Sequence, residues 1–573
     1  MGKEKIDYKA PIKRLGRLLF EERKMIYLIF TYAIINGIIV LTLPLGIQAI
    51  LNFILGGRVS SSWVILVVIV VIGLTVSGWV QIVQLSLTEK LQQRIFAKSS
   101  FEIAVRLPRI KLEALQGQYT PQMINRFFDT VNLQKGIAKL LVELPTSTLQ
   151  VFFGFLLISF YHPFFLFFSI AVIVFLYILF RYTGPKGVLS SIDESTQKYD
   201  VANWLEELAR TPGTFKLGGF SNLPLIRVDK LISGYLHFRN KHFGVLLTQY
   251  KIMVALKVVT ISSLIVMGSL LLIDSQISLG QFVAAEIIII LIMNSIEKII
   301  LSLETVYDVL TSVEKLGSIT DLPLEEEVNE NSQKVTEENG FAIGVSNLEF
   351  SYPGSSVTTI RKLSFEISKS EKVCLIGPSG SGKSTLLQLI CGFYEEFKGR
   401  ITYNDIPLSA LQLNMLRMDI GSNVWQETIF HGTLRENISL SKDGVTDKMI
   451  YYALEKVGAS NAVNLLNEGL NTMLYPEGLK LSRVLVRKLI LARAIVSRPK
   501  LLIVQIDADI FTNLEKQTFY DYLFEQPWSI IAVTRDEDFV KKCNRTLLLD
   551  QGSIVFAGDY KSLKASNHVE FIR

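Results

Sequence analysis

The residues best placed to do chemistry form one run, Gly377-Pro378-Ser379-Gly380-Ser381-Gly382-Lys383-Ser384-Thr385. Its spacing is G-x-x-x-x-G-K-S. Glycines let backbone N–H groups close around phosphate oxygens, and a helix that follows adds the positive end of its dipole. Lys383 is placed to neutralise the terminal phosphates, and the Ser384 hydroxyl to help hold Mg²⁺. An apolar run, Lys372–Ile376, precedes the glycines, and a helical pattern begins at Ser384–Leu389. That strand–loop–helix context is what a phosphate-binding loop requires.

The strand and helix belong to a longer alternation. From Phe341 onward, short β-rich runs (Phe341–Tyr352, Arg361–Ile367, Lys372–Ile376, Leu501–Gln505 and Ile530–Thr534) are separated by helical stretches. The pattern predicts an α/β unit over residues 341–573. Ahead of it, Asp321–Gly340 holds seven acidic residues and one Lys, with little apolar periodicity. Residues 319–340 therefore read as a solvated acidic linker.

The first half is of another kind. The chain has 573 residues, 49% of them hydrophobic, and the apolar excess lies before about residue 320. Six stretches are long and apolar enough to cross about 30 Å of hydrocarbon, near Met25–Ile47, Trp63–Val83, Ile137–Tyr161, Pro163–Tyr182, Met253–Ile273 and Leu279–Leu301. Residues 25–318 thus read as an all-α six-helix membrane unit. The segments 84–136 and 183–252 are rich in Lys and Arg, and the first 24 residues carry eight. The positive-inside rule puts those segments and both termini in the cytoplasm, as expected of a multi-pass protein of the plasma (inner) membrane. Residues 1–24 read as an amphipathic helix lying on membrane lipid, with Leu15, Leu18, Leu19 and Phe20 towards it. The net charge of +6 follows from these flanks, and nothing else points to nucleic acid. Cys374, Cys391 and Cys543 lack metal-ligand spacing and read as reduced thiols.

Six spans with long cytoplasmic extensions, an acidic linker and a P-loop α/β unit resemble the ABC exporter family, specifically a half-transporter of the bacterial peptide and protein secretion type. The resemblance implies a six-helix membrane domain followed by an ATP-binding cassette, with ATP and Mg²⁺ as cofactors. It implies pairing with a second half-transporter, each ATP lying between one chain's P-loop and the other's signature motif. It casts Tyr352 as the aromatic residue on which adenine stacks. It casts Gln426 as the glutamine that reaches Mg²⁺ beside Ser384 and reports nucleotide state to the membrane domain. Thr120–Asp129 and Glu206–Gly219 resemble the loops that dock on the cassettes.

Elsewhere the family pattern is broken. The signature, normally LSGGQ, reads Leu481-Ser482-Arg483-Val484-Leu485, in a register fixed by Leu491-Ala492-Arg493-Ala494. Both glycines are replaced by bulky residues, although Arg483 can offer a charge. The Walker B Asp and Glu positions fall on Gln505 and Ile506. Gln505 lacks the charge that steadies the metal shell, and Ile506 cannot take a proton from attacking water. Asp507, two residues on, can point to the same face. The switch histidine position holds Arg535, a cation that cannot act as a neutral imidazole. The expectation is a cassette that binds ATP and, alone, hydrolyses it weakly or not at all.

A homodimer would then bind ATP without turnover, whereas a competent partner would restore at least one working site; the heterodimer is the favoured arrangement. The rival reading is an ATP-gated membrane scaffold that moves nothing. For cargo, Glu286, Glu297 and Glu304 share one helical stripe. Glu286 either lines a pathway for cationic parts of an exported peptide or protein, or pairs with a neighbouring helix, Lys257 being a candidate.

Overall fold

The computed structural model describes residues 9–55, 61–117, 119–219, 221–325, 333–334, 339–424, 428–566 and 571. They divide into two units, residues 1–110 with 117–323 and residues 111–116 with 324–573.

The first unit is helical because its apolar runs must satisfy every backbone group internally. Among the described residues, six helices are long and apolar enough to cross a membrane. They are Arg23–Leu55, Ser61–Arg106, Asp129–Ser159, Pro163–Arg210, Leu223–Ile273 and Leu279–Thr320. The Leu223–Ile273 helix has 51 residues. At 1.5 Å per residue that is about 77 Å, more than twice the hydrocarbon thickness, so much of it lies beyond the membrane. Polar side chains join the helices where apolar packing gives no preference. Ser77 donates to Asn36 Oδ1 at 2.6 Å, Ser295 to Gln150 Oε1 at 2.7 Å, and Gln249 Nε2 to the Tyr307 hydroxyl at 2.8 Å.

Ahead of the first span, Lys9–Glu21 forms a helix, as its amphipathic pattern predicts. Its apolar face is turned otherwise than expected. Leu15, Leu18 and Leu19 pack on a protein core of Leu91, Leu133, Ile137, Val313 and Leu316, and Phe20 is exposed. The helix amphipathicity is spent on protein, because Arg14 pairs with Glu314 and Asp321 on the sixth-span helix and its end.

Among its described residues the second unit contains twelve strands, β1 Ile343–Ser351, β2 Thr358–Ile367, β3 Lys372–Ile376, β4 Lys398–Tyr403, β5 Ile406–Pro407, β6 Ile420–Ser422, β7 Gly432–Thr433, β8 Met473–Leu474, β9 Leu501–Gln505, β10 Ser529–Val533, β11 Arg545–Asp550 and β12 Ser553–Gly558. The main sheet runs β12-β11-β3-β10-β9-β6, and a second, four-stranded sheet runs β2-β1-β4-β5. In the main sheet β11, β3, β10, β9 and β6 are parallel and β12 is the antiparallel edge. All five residues of β3 and the first four of β9 are buried, as in parallel strands covered on both faces. The fold is therefore the one expected, six membrane-length helices followed by an α/β P-loop unit.

Two local expectations change. The described part of the acidic linker is anchored: Glu325 pairs with Arg417 at 2.6 Å, and the Gln333 N–H donates to the Ala410 carbonyl at 2.9 Å. The helical unit expected over residues 25–318 is interrupted: Lys111–Gln116, upstream of Thr120–Asp129, belongs to the α/β unit. Within that unit Glu113 Oε1 accepts from the Glu395 N–H at 3.0 Å, Lys111 pairs with Glu395 at 2.5 Å, and Leu112 packs on the core. Thr120–Asp129 and Glu206–Gly219 remain in the helical unit.

Close helix approach depends on small residues. A Cβ at Gly187 would fall 2.2 Å from Tyr307 Cζ, and Tyr307 is buried. Gly187→Ala should therefore destabilise the helical unit by about 1–3 kcal/mol, the usual cost of overpacking. Thermal unfolding in detergent would show it, and Tyr307→Ala in the same chain should remove most of the Gly187→Ala penalty. An unchanged midpoint for Gly187→Ala would show that this contact does not set the helix spacing.

Candidate functional site

The site begins at the end of β3, where the chain turns through Gly377, Gly380 and Gly382 with φ of +146°, +81° and +100°. Side chains are disfavoured there by the backbone alone. A Cβ on Gly377 would also meet the Leu549 carbonyl oxygen at 2.1 Å. The loop feeds the Lys383–Ile390 helix. Lys383 Nζ donates to the carbonyl oxygens of Gly377 and Pro378 at 2.9 and 2.7 Å and to Ser381 Oγ at 3.2 Å. Ser379, Gly380 and Ser384 are exposed, and Ser381 and Thr385 buried. Burial first, and then the charge of Arg535, push the Lys383 ammonium below the usual lysine range.

A cleft of about 890 Å³ opens beside the loop. Its other walls are Val424, Gln505–Asp509 and Val533–Asp536. Three parallel strands deliver these walls. β10 lies between β3 and β9, and Val533 stands opposite both Leu375 and Gln505. The loop after β3, Arg535 after β10 and Gln505 at the end of β9 therefore converge at the carboxyl edge of one sheet, the usual ligand position in open α/β sheets.

Tyr352 follows β1, and its hydroxyl lies 2.8 Å from Thr385 Oγ1 and 3.2 Å from Gln388 Oε1. Its ring meets Phe350 and Tyr394 edge-on, with centroids 5.1 and 5.7 Å away. Gln426 lies outside the described residues.

The replaced positions each have structural work. Gln505 is exposed, and its backbone is gripped on both sides by Asn423. Asn423 Oδ1 accepts from the Gln505 N–H at 2.7 Å, and Asn423 Nδ2 donates to the Gln505 carbonyl at 2.9 Å. Ile506 is buried in the core with Val504, Ile510 and Phe519. Asp507 lines the cleft, but Arg487 holds its carboxylate at 2.9 Å, so it is not free to replace the missing acid. Thr534 Oγ1 donates to the Ile506 carbonyl at 2.9 Å and fixes the chain just before Arg535, which is exposed.

Ser482 caps the Arg483–Ile495 helix by accepting from the Leu485 N–H at 3.1 Å. Arg483 and Val484 form its exposed first turn, and Leu481 and Leu485 pack on the core. Arg493, near the other end, donates to the Asn437 and Thr428 carbonyls at 2.6 and 3.2 Å.

In the helical unit the acidic stripe is split. Glu297 pairs with Lys257 at 2.9 Å, and Glu304 lies 3.8 Å from Arg239. Glu286 is half-buried, with no ion pair among the described residues. Lys257 is thus the partner of Glu297, a turn-aligned neighbour, because Glu286 lies three turns away.

The sequence did not point to Asn423, Arg487 or Tyr394. Asn423 had one faint signal, its place directly after a short strand that turns out to pair with β9.

Comparison with known proteins agrees with this geometry. Residues 360–505 match the family model of the ABC transporter. A leukotoxin translocation ATP-binding protein, LktB, from Pasteurella haemolytica-like sp. (strain 5943B) is 27% identical over 305 residues, 53% of this chain and 42% of that protein. A leukotoxin export ATP-binding protein, LtxB, from Aggregatibacter actinomycetemcomitans is 27% identical over 300 residues, 52% of this chain and 42% of its own. The aligned region thus spans less than half the length of these relatives. The structure of a bacterial Atm1-family ABC exporter with ATP bound has the same fold, with a TM-score of 0.83, 16% identity, and coverage of 96% of this chain and 97% of that one.

Asn423 is the test of how the cleft is held. Asn423→Ala leaves two part-buried backbone groups of Gln505 without their partner, which should cost about 1 kcal/mol, the net worth of an ordinary hydrogen bond. Calorimetric unfolding of the purified protein would read this as a lowered midpoint, and a wild-type midpoint would exclude the clamp.

Proposed function

We propose that this chain, whose residues 360–505 match the ABC transporter family model and whose fold is shared with an ABC exporter, is a half-transporter of the plasma (inner) membrane that binds ATP and depends on a partner for hydrolysis. The observation that carries this is the contrast inside one cleft. The phosphate cradle is complete, with strained glycines, an anchored Lys383 and an exposed Ser384. The position where a general base would stand carries Ile506, turned into the core.

Positioning falls to the chain's own groups. The backbone N–H groups of Gly380–Ser384 wrap the terminal phosphates, and Lys383 neutralises them. Tyr352 offers its ring to the adenine. Losing a general base costs about 10²–10⁴ in rate, so turnover on this cleft falls to near background. The bulky first turn at Arg483 and Val484 weakens what the chain lends to a partner's nucleotide. A competent second half-transporter brings its own acid and base to the second site of the pair, which favours a heterodimer. Both termini lie in the cytoplasm, as the excess of Lys and Arg in residues 1–24 and in the long inter-span segments supports. The leukotoxin-exporting relatives make a peptide or protein the favoured cargo, and the half-buried Glu286 is a candidate contact for its cationic parts.

Purified chain should bind ATP, lose binding on Lys383→Ala, and show no turnover above background until a partner is added. Robust hydrolysis by the chain alone, abolished by Lys383→Ala, would sink the reading. Equilibrium titration gives a second check. Tyr352→Ala should weaken ATP about tenfold or more, because base–aromatic stacking is worth about 1–3 kcal/mol. Tyr352→Phe should bind nearly as wild type, and equal losses in the two variants would assign the effect to the hydroxyl instead.

A further inference from the structure

The phosphate end of the cleft fits a divalent cation poorly. Mg²⁺ demands near-octahedral oxygen ligands and usually takes one or two carboxylates besides phosphate and water. The described donors here are the Ser384 hydroxyl and the neutral Gln505 amide. Among the cleft's carboxylates, Asp507 is held by Arg487 and Asp536 by Lys516 at 3.2 Å. Asp509 is exposed and lies four residues beyond Gln505 at the strand end, in the Ala508–Ile510 turn. No group of three or more His, Cys, Asp or Glu residues able to hold a metal occurs among the described residues.

What the cleft does offer is positive charge. Lys383 and Arg535 both line it, and their charges repel one another. Arg535 has no ion pair among the described residues, and it is carried on a rigid base. Buried Thr534 ties it to the Ile506 carbonyl, at the end of the strand lying between β3 and β9. An ATP tetra-anion entering the cradle would meet two cations from the chain itself. A dication placed beside them would be repelled, and two of the cleft's three carboxylates, Asp507 and Asp536, are already paired with cations of the chain.

We propose that this cleft binds the nucleoside triphosphate without a divalent cation, Arg535 supplying the compensating charge that a metal would otherwise bring. The inference rests on the ATP-binding reading above and sharpens it. The guanidinium suits the task, since its planar fork can donate two hydrogen bonds to phosphate oxygens and it stays charged at any physiological pH. The same substitution accounts for two features together. A site that needs no metal tolerates Gln505 at the end of β9, and a site that hydrolyses nothing tolerates the loss of the metal.

The test is calorimetric titration of the purified full-length chain with ATP, in MgCl₂ and again in EDTA. The expected result is an affinity that changes by less than about threefold between the two buffers, well under the 1.4 kcal/mol of a tenfold change. Arg535→Ala should weaken binding about tenfold or more in EDTA, the scale of one lost charge-assisted hydrogen bond pair, while Arg535→Lys should retain part of it. Arg535 is exposed, so both variants should fold, and a thermal melt verifies this. An affinity that collapses in EDTA overturns the proposal, as does Arg535→Ala binding like wild type. Absence of ATP binding in both buffers would instead remove the ATP-binding reading on which the proposal stands.

Discussion

The hydrogen-bonded ladder of β3, β10 and β9 is the constraint on which the rest depends. Because Val533 stands level with Leu375 and Gln505, three loops far apart in sequence leave the sheet at the same height. The phosphate cradle, Arg535 and Gln505 owe their proximity to that register. A slip of one residue in either pairing would turn every strand side chain to the opposite face and scatter the cleft. The buried runs in β3 and β9 make such a slip costly, since both faces of those strands are covered.

Given that frame, the altered chemistry has cost the fold little. Ile506 adds to the core, Gln505 is held through its backbone, and Ser482 caps its helix. Architecture and catalysis thus draw on different atoms of the same residues, backbone for the first and side-chain termini for the second. The scaffold therefore does not require any particular side chain at the strand end. Arg487 extends the point: a cation on the Arg483–Ile495 helix pairs with Asp507, the first aspartate after the strand.

Much of this was legible in the sequence, and the physical reason differs by feature. The phosphate loop was plain because strained glycines and a Lys-Ser pair leave a local signature. The membrane helices were plain because length and apolarity are all the bilayer asks. Strands β3 and β9 were read to the residue because parallel, doubly covered strands are continuous apolar runs. The amphipathic face of Lys9–Glu21 was legible as a face, but not its occupant: lipid and a protein core select the same Leu15, Leu18 and Leu19. Asn423 and the Asp507–Arg487 pair were hidden because each acts through a tertiary neighbour set by strand register, which no local pattern records. The place of Lys111–Gln116 in the α/β unit was hidden for the same reason, Glu113 being recognisable only beside the Glu395 and Glu396 amides from which it accepts.

That segment has a consequence for how such a chain can be divided or inherited. Six residues between the second and third membrane-length helices are physically part of the nucleotide-binding unit. A protein cut at Leu324 would yield a cassette with an unfilled contact where Leu112 packs and two backbone amides stripped of their carboxylate. Gene fission or cassette exchange at the linker would separate one folding unit from a piece of itself. The boundary that matters to recombination is therefore discontinuous, and Lys111–Gln116 must travel with the cassette for it to be whole.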